Sequence, residues 1–226
     1  MDWQACQACG ACVSGCPYGL RRIAGSTWTV EDAMEVVLAD RIFYDESQGG
    51  VTLSGGEPLF QPDFALGLLQ SAKRHGLHTA VDTCGAVPPS VVAAAAQWTD
   101  LFLYDIKTLD PETHRKQTGV SVDLPVANLR RLNRLGKELW IRIPIIPGVN
   151  DDIDSLADII ALAATLERVQ CVSMLPYHSG GEGKRARLGL PSGVHLEPLS
   201  LDRIENLIRT LRPLLPVPLT VGGSSS

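Results

Sequence analysis

No apolar stretch in this chain of 226 residues is longer than a strand, which excludes a membrane-spanning helix. An excess of positive charge is also lacking. Lys and Arg number 20 against 25 Asp and Glu, a net formal charge of −5, and that argues against nucleic acid as a partner. The local cluster Lys184, Arg185 and Arg187 reads as a solvated loop. Nothing resembles a signal peptide, and the chain is far larger than a small disulfide-built scaffold. Its six cysteines are therefore expected to be reduced, in the cytoplasm. No fixed-period repeat stands out. With 45% hydrophobic residues, what remains is a globular body large enough for one core.

The cysteines that are present carry the strongest signal. Cys6, Cys9, Cys12 and Cys16, closed by Pro17, form a C-x2-C-x2-C-x3-C-P run, the ferredoxin spacing for a 4Fe-4S cluster. Three closely spaced thiolates wrap three irons, and the fourth, before proline, normally serves the other cluster of a pair. A second run is lacking, because Cys84 and Cys171 have no cysteine neighbours. Half of a two-cluster module thus stands at the start of the chain, and the expectation is that preceding sequence is missing. Zinc sites instead pair two C-x2-C units across a longer spacer.

After residue 28 the pattern becomes a regular alternation of helices and strands. Thr29 can cap a helix carrying Val30, Ala33, Met34, Val37 and Leu38 on one face. Strands are predicted at 50–54, 77–82, 101–106, 140–146 and 169–175. Helices are predicted from Pro62, burying Phe64, Leu68 and Ala72, and over 91–97 and 126–135. Another helix is capped by Asn150 or Asp151, with Ile153, Leu156, Ile159, Ile160 and Ala163 inward, and a last one opens at Ser200 with Leu201, Ile204, Leu207, Ile208 and Leu211 as its apolar face. Such alternation implies a parallel sheet with crossover helices, and about five strands are too few to close an eight-stranded barrel.

Ligands in parallel α/β proteins bind beyond the carboxyl ends of the strands. Four such ends, and the interior of the fourth strand, carry candidate residues. The first is Ser54-Gly55-Gly56-Glu57-Pro58, where two glycines allow close approach to the backbone and Glu57 can fix the turn. The second is Asp82-Thr83-Cys84-Gly85 and the third Asp105-Ile106-Lys107. Two aspartates on adjacent strand ends can hold a cation or a cationic ligand, or pair with Lys107. Arg142 stands inside an apolar run and requires a carboxylate, from the protein or from a ligand. His178 follows the fifth strand in Leu175-Pro176-Tyr177-His178, whereas His75, His78, His114 and His195 have no such setting. Cys84 can line the mouth, and Cys171 reads as core.

Taken together, FYDESQGGVTLSGGEPLFQ, DTCG, DIK, RIPIIPGVND and LPYH resemble the glycyl-radical-enzyme activating enzymes of the radical SAM superfamily, relatives of pyruvate formate-lyase activating enzyme. The resemblance covers Cys6 to about Leu211. It implies an α/β fold, a partial (β/α) barrel lacking its first strand, with an N-terminal ferredoxin-like cysteine segment. The implied division is a partial 4Fe-4S segment over 1–28, an incomplete barrel over 29–221 and a disordered tail over 222–226. It implies reductive cleavage of S-adenosylmethionine to a 5′-deoxyadenosyl radical, which takes a hydrogen atom from a glycine of a partner enzyme. A flavodoxin or ferredoxin is the implied electron donor. By the same resemblance Gly55, Gly56 and Glu57 form the loop for the methionyl amino group. Asp82, Thr83 and Asp105 belong to the cosubstrate site with a monovalent cation, and Lys107, Arg142 and His178 contact S-adenosylmethionine. Two departures stand out. Gln48 replaces a usual glycine, and the C-x3-C-x2-C motif of the radical-generating cluster is absent. The chain by itself is therefore expected to be inactive. The competing readings are an iron–sulfur electron carrier and a non-catalytic S-adenosylmethionine-binding protein.

Overall fold

A computed structural model describes residues 6–23, 25–178 and 196–222. The Lys184–Arg187 cluster, Ser179 to Gly181, His195 and the end of the tail from residue 223 lie outside the described residues. Six strands form one parallel sheet in the order of the sequence. They are β1 (Gly50–Leu53), β2 (His78–Thr83), β3 (Leu101–Asp105), β4 (Glu138–Ile145), β5 (Val169–Pro176) and β6 (Leu219–Val221). The sheet is open, with β1 and β6 at its edges. The helices are α1 (Ala11–Ser14), α2 (Val30–Ala39), α3 (Arg41–Ser47), α4 (Pro62–Arg74), α5 (Pro89–Ala96), α6 (Pro111–Thr118), α7 (Asp123–Arg134), α8 (Ile153–Ala164) and α9 (Leu201–Leu211). Among the described residues no helix is long and apolar enough to cross a membrane.

The core follows from the two-residue period of the strands. Leu139, Ile141, Ile143 and Ile145 of β4 are fully buried, and the residues between them are half-buried on the opposite face. The buried row joins Val81, Phe102, Tyr104, Val172 and Met174 from neighbouring strands and the inward faces of α4, α5, α7, α8 and α9. Burying each such aliphatic side chain contributes about 1.5–3 kcal/mol. A smaller cluster of Met34, Ala72 and Leu77 seats α2 against α4. α2 starts at a full capping box. Asp32 N–H donates to Thr29 Oγ1 at 3.1 Å, and Thr29 N–H donates to Asp32 Oδ2 at 2.9 Å.

Several sequence expectations need correction. The described residues hold six strands, not five: β6 spans only three residues after Pro216-Val217-Pro218, too short to show a period. In α4, Ala72 is buried as expected, but Phe64 and Leu68 are only half-buried and Ala65 and Leu69 take the innermost places. α8 is capped by Asp152, whose carboxylate accepts from Ser155 N–H at 2.8 Å, and Ile153 is exposed. Asn150 is not a cap because its side chain is engaged at the end of β4. α6 was not foreseen, since only His114 is buried in it and it has no apolar stripe. Leu201, expected on the inner face of α9, is exposed.

Candidate active site

The parallel strands bring their carboxyl ends to one side of the sheet, and there the charged residues meet. Asp105 and Arg142 are direct neighbours in the β3–β4 register. Arg142 shares the half-buried face of β4 with Trp140 and Pro144, away from the core. From there its guanidinium reaches across two strands. Nη2 donates to Asp82 Oδ1 at 2.6 Å and Nε to Asp105 Oδ1 at 2.9 Å. The other Asp82 oxygen accepts from Ser54 Oγ at 2.8 Å. The end of β1 and the strands β2, β3 and β4 are thus tied by one network. Burial opposes the charge on Arg142, but the hydrogen bonds and charges of Asp105 and Asp82 outweigh it and lift its pKa above the ordinary arginine value. The positive charge between the two aspartates is therefore supplied by the chain itself.

Glu57 is saturated in the same way. Its carboxylate accepts from Thr83 Oγ1 at 2.8 Å, Cys84 N–H at 3.0 Å, Leu59 N–H at 3.2 Å and the Cys84 thiol at 3.2 Å. With so many donors it serves as a clamp between the β1 turn and the end of β2, as the sequence suggested. The turn it holds is open. Gly55 has φ +141°, and a Cβ added at Gly55 or Gly56 would meet nothing within 4 Å. The backbone of the turn is accordingly free for a ligand to approach.

Behind the clamp, the loop after β2 is held from the core. Asn128 of α7 donates to the Gly85 and Val87 carbonyls at 2.9 and 2.8 Å. Its own buried Oδ1 has no partner. The Tyr104 hydroxyl donates to the Pro125 carbonyl at 2.6 Å and lies against Gly85. Burial above all, with the nearby Cys84 and Glu57, pushes the Tyr104 phenol up, so it stays protonated. The Cys84 thiol is also pushed up, chiefly by burial and further by Glu57. The Ala86 N–H and the Lys107 charge oppose that rise. Lys107 thus acts electrostatically on the group beside Glu57.

His178 lies two residues past β5 at the same end of the sheet, and it is exposed. Thr83 is buried under Glu57, and Lys107 is half-buried. His75 and His78 are exposed, whereas His114 is buried and bonded to the Val120 carbonyl at 2.9 Å through Nδ1. The structure adds contacts of Ser54, Tyr104, Asn128 and Asn150, the last of which the sequence suggested only as a helix cap. Their signal was weak because buried asparagines have no fixed spacing to the carbonyls they serve.

Two groups can be tested against these residues. S-adenosylmethionine, with its ammonium and sulfonium charges, fits a mouth with an open glycine backbone and a net charge of −1 over Glu57, Asp82, Asp105, Lys107 and Arg142. The cysteine run behaves differently. Cys6, Cys9, Cys12 and Cys16 are free and at least partly exposed, with Ala8 and Gly10 at positive φ between them. Among the described residues no group of three or more His, Cys, Asp or Glu converges to hold a metal ion.

Comparison with known proteins agrees with the geometry. Residues 7–160 match the Radical SAM superfamily. The choline trimethylamine-lyase activating enzyme of Oleidesulfovibrio alaskensis is 38% identical over 243 residues, covering 90% of this chain and 78% of that protein. The trans-4-hydroxy-L-proline dehydratase activating enzyme of Clostridioides difficile is 39% identical, covering 91% and 79%. Among solved structures, a domain of pyruvate-formate lyase-activating enzyme from Bacteroides vulgatus superposes with a TM-score of 0.65 at 30% identity, covering 77% of this chain and 99% of that one. The chain belongs to the radical SAM superfamily, whose members use a 4Fe-4S cluster and S-adenosylmethionine, and within it to the glycyl-radical-enzyme activating enzymes.

Proposed function

We propose that the mouth formed by the ends of β1 to β5 binds S-adenosylmethionine for activation of a glycyl-radical enzyme. The observation that carries this is the open Gly55-Gly56 turn beside the Asp82–Arg142–Asp105 network. Carbonyls of the turn accept the methionyl ammonium, and Glu57 and Thr83 hold the turn still while they do so. Lys107 and His178 are placed to contact the polar ends of the cosubstrate. Arg142 ties Asp82 to Asp105 and so fixes the floor of the mouth beside the glycine turn. When bound beside a reduced 4Fe-4S cluster, S-adenosylmethionine supplies the 5′-deoxyadenosyl radical that removes a hydrogen atom from the partner's glycine.

A monovalent cation near Asp82, Thr83 and Asp105 belongs to the same proposal, as does a cytoplasmic flavodoxin or ferredoxin as electron donor. The Cys6–Cys16 run is assigned to electron handling on its ferredoxin spacing. Calorimetric titration of the chain with S-adenosylmethionine tests the site. Saturable binding that is weakened by Gly56→Val and by Asp105→Ala is expected. Titrations showing no binding, or equal binding by both variants, would refute the assignment. Repeating them in sodium, potassium and choline chloride tests the cation.

A further inference from the structure

We propose that this chain pairs with a second copy of itself through residues 18–36, the exposed strip at Arg21 and Arg22 of each copy seating in a groove between Trp28 and α2 of the other. None of these residues belongs to the mouth. The strip follows the cysteine run directly. Tyr18 and Leu20 are 82% and 81% exposed, and Arg21, Arg22 and Ile23 are exposed beside them. Residues 6–28 hold these two arginines and no acidic residue, in a chain whose net charge is −5. Among the described residues neither arginine has an ion-pair partner. The strip thus offers two unanswered guanidinium groups bracketed by apolar side chains whose burial would be favourable.

The groove is the counterpart of that strip. It has a volume of about 330 Å³ and is lined by Thr27, Trp28, Asp32, Glu35 and Val36. It forms because α2 turns Met34 toward Ala72 and Leu77, which leaves Asp32, Glu35 and Val36 on the outer face. The Trp28 indole N–H is taken by Ser26 Oγ at 2.5 Å, which fixes the ring at the groove wall. Asp32 spends Oδ2 on the capping box, so its Oδ1 and the whole Glu35 carboxylate remain for an incoming donor. An aromatic ring beside two carboxylates suits a guanidinium, whose plane stacks on the ring while its N–H groups reach the oxygens. Arg21 and Arg22 do not line the groove of their own copy, so the matching charges of one molecule stay apart. A two-fold axis brings them together twice, because an isologous interface uses each surface on both sides. An unrelated partner would need both a basic and an acidic surface at the matching spacing, and the chain already carries that pair. Val36, Ile42 and Phe43 are exposed as well and add the apolar area that surface ion pairs lack.

The experiment is equilibrium sedimentation of the full chain over about a hundredfold range of concentration, with a thiol reductant present so that exposed cysteines do not cross-link copies. The wild-type chain is expected to pass from monomer to dimer in that range, and the dimer should weaken as salt rises, because exposed charges are screened. Arg21→Glu/Arg22→Glu and, in a separate protein, Glu35→Arg should each weaken the dimer by about tenfold or more, since each sets like charges face to face. All three positions are exposed, and an unchanged circular dichroism spectrum verifies that the variants fold. Mixing the two variants decides the matter. The reversed strip of one then meets the reversed groove of the other, while the native strip meets the native groove, so a mixed dimer of wild-type strength should form. Trp28→Ala should weaken the dimer and leave its response to salt in place. A wild-type chain that stays monomeric throughout the range would overturn the proposal. So would a dimer that ignores the strip and groove variants, which would place the contact on another face. Loss of the dimer in both variants without recovery on mixing would also overturn it, since strip and groove would then not face each other across two copies.

Discussion

Replacing Arg142 by methionine removes the positive charge that bridges Asp82 and Asp105, and the cost can be worked from its contacts. Two charge-assisted hydrogen bonds are lost, at 2.6 and 2.9 Å. The three side chains are 18–23% exposed, so solvent compensates only in part. Breaking a fully buried pair costs about 3–5 kcal/mol, and the residual exposure puts this site near the lower end, about 3 kcal/mol. For a chain of this length, that lowers the midpoint of thermal unfolding by about 6–12 °C. Because the arginine pKa is raised above an already high value, its charge is present throughout the usable pH range, and the loss should not fade on going from pH 6 to 8. Arg142→Lys should fall between wild type and Arg142→Met, since a single ammonium cannot form the two-pronged contact with both carboxylates. The assay is a thermal melt by circular dichroism on all three proteins, with Asp82→Asn/Asp105→Asn added to Arg142→Met. Neutralising both carboxylates should recover most of the loss. A drop smaller than about 2 °C for Arg142→Met, or no recovery in the triple variant, would refute the electrostatic account of the mouth.

Gly85→Ala should be costly, because Gly85 has φ +69° and an added Cβ would stand 1.7 Å from the Tyr104 hydroxyl, itself buried and bonded. A loss of about 3 kcal/mol in urea unfolding is expected, and an unchanged midpoint would count against the packing described. The carboxyls of Asp32, Asp110 and Asp152 are held below the ordinary value of 3.8 by first-turn N–H and hydroxyl donors. Their contribution is complete above that value and is lost as the pH falls through the lower folded-state values. Helical signal should therefore weaken on acidification below about pH 4, and less so after Asp152→Asn, whose cap does not titrate. Anaerobic incubation with a strong reductant should give no 5′-deoxyadenosine from these residues alone, since none of their cysteines has C-x3-C-x2-C spacing. Steady production, followed by chromatography, would show that the Cys6–Cys16 run can do that chemistry.

Much of this site could be read before any coordinates. Alternation in Ile141-Arg142-Ile143-Pro144-Ile145 has one meaning in a strand: the arginine faces away from the row of isoleucines, and it must find a carboxylate. Which carboxylate was not readable, because Asp82 and Asp105 precede it by 60 and 37 residues, and only the register of the sheet brings all three together. The glycine turn and Glu57 were also legible from local chemistry. Asn128 and Asn150 were not. Each satisfies carbonyls that become neighbours only when a helix or a turn packs beside a strand end. Asn150 even looked like a helix cap, since it stands three residues before α8, and the cap role went to Asp152 instead. β6 and α6 were missed because one is too short for a period and the other too polar for a stripe.

The strand order of the sheet bears on how the molecule comes into being. Among the described residues each strand is bonded to the one just before it in the chain. A polypeptide leaving the ribosome can thus lay every new strand on an edge that already exists, waiting only for the intervening helix. Arg142 alters that picture at one point. Asp82 and Asp105 emerge first, on adjacent strands, and only Ser54 attends to Asp82 until β4 arrives with the guanidinium. The nascent β1–β3 unit therefore carries an electrostatic fault that only the fourth strand repairs, and docking of β4 becomes the step at which growth of the sheet turns into commitment to the fold.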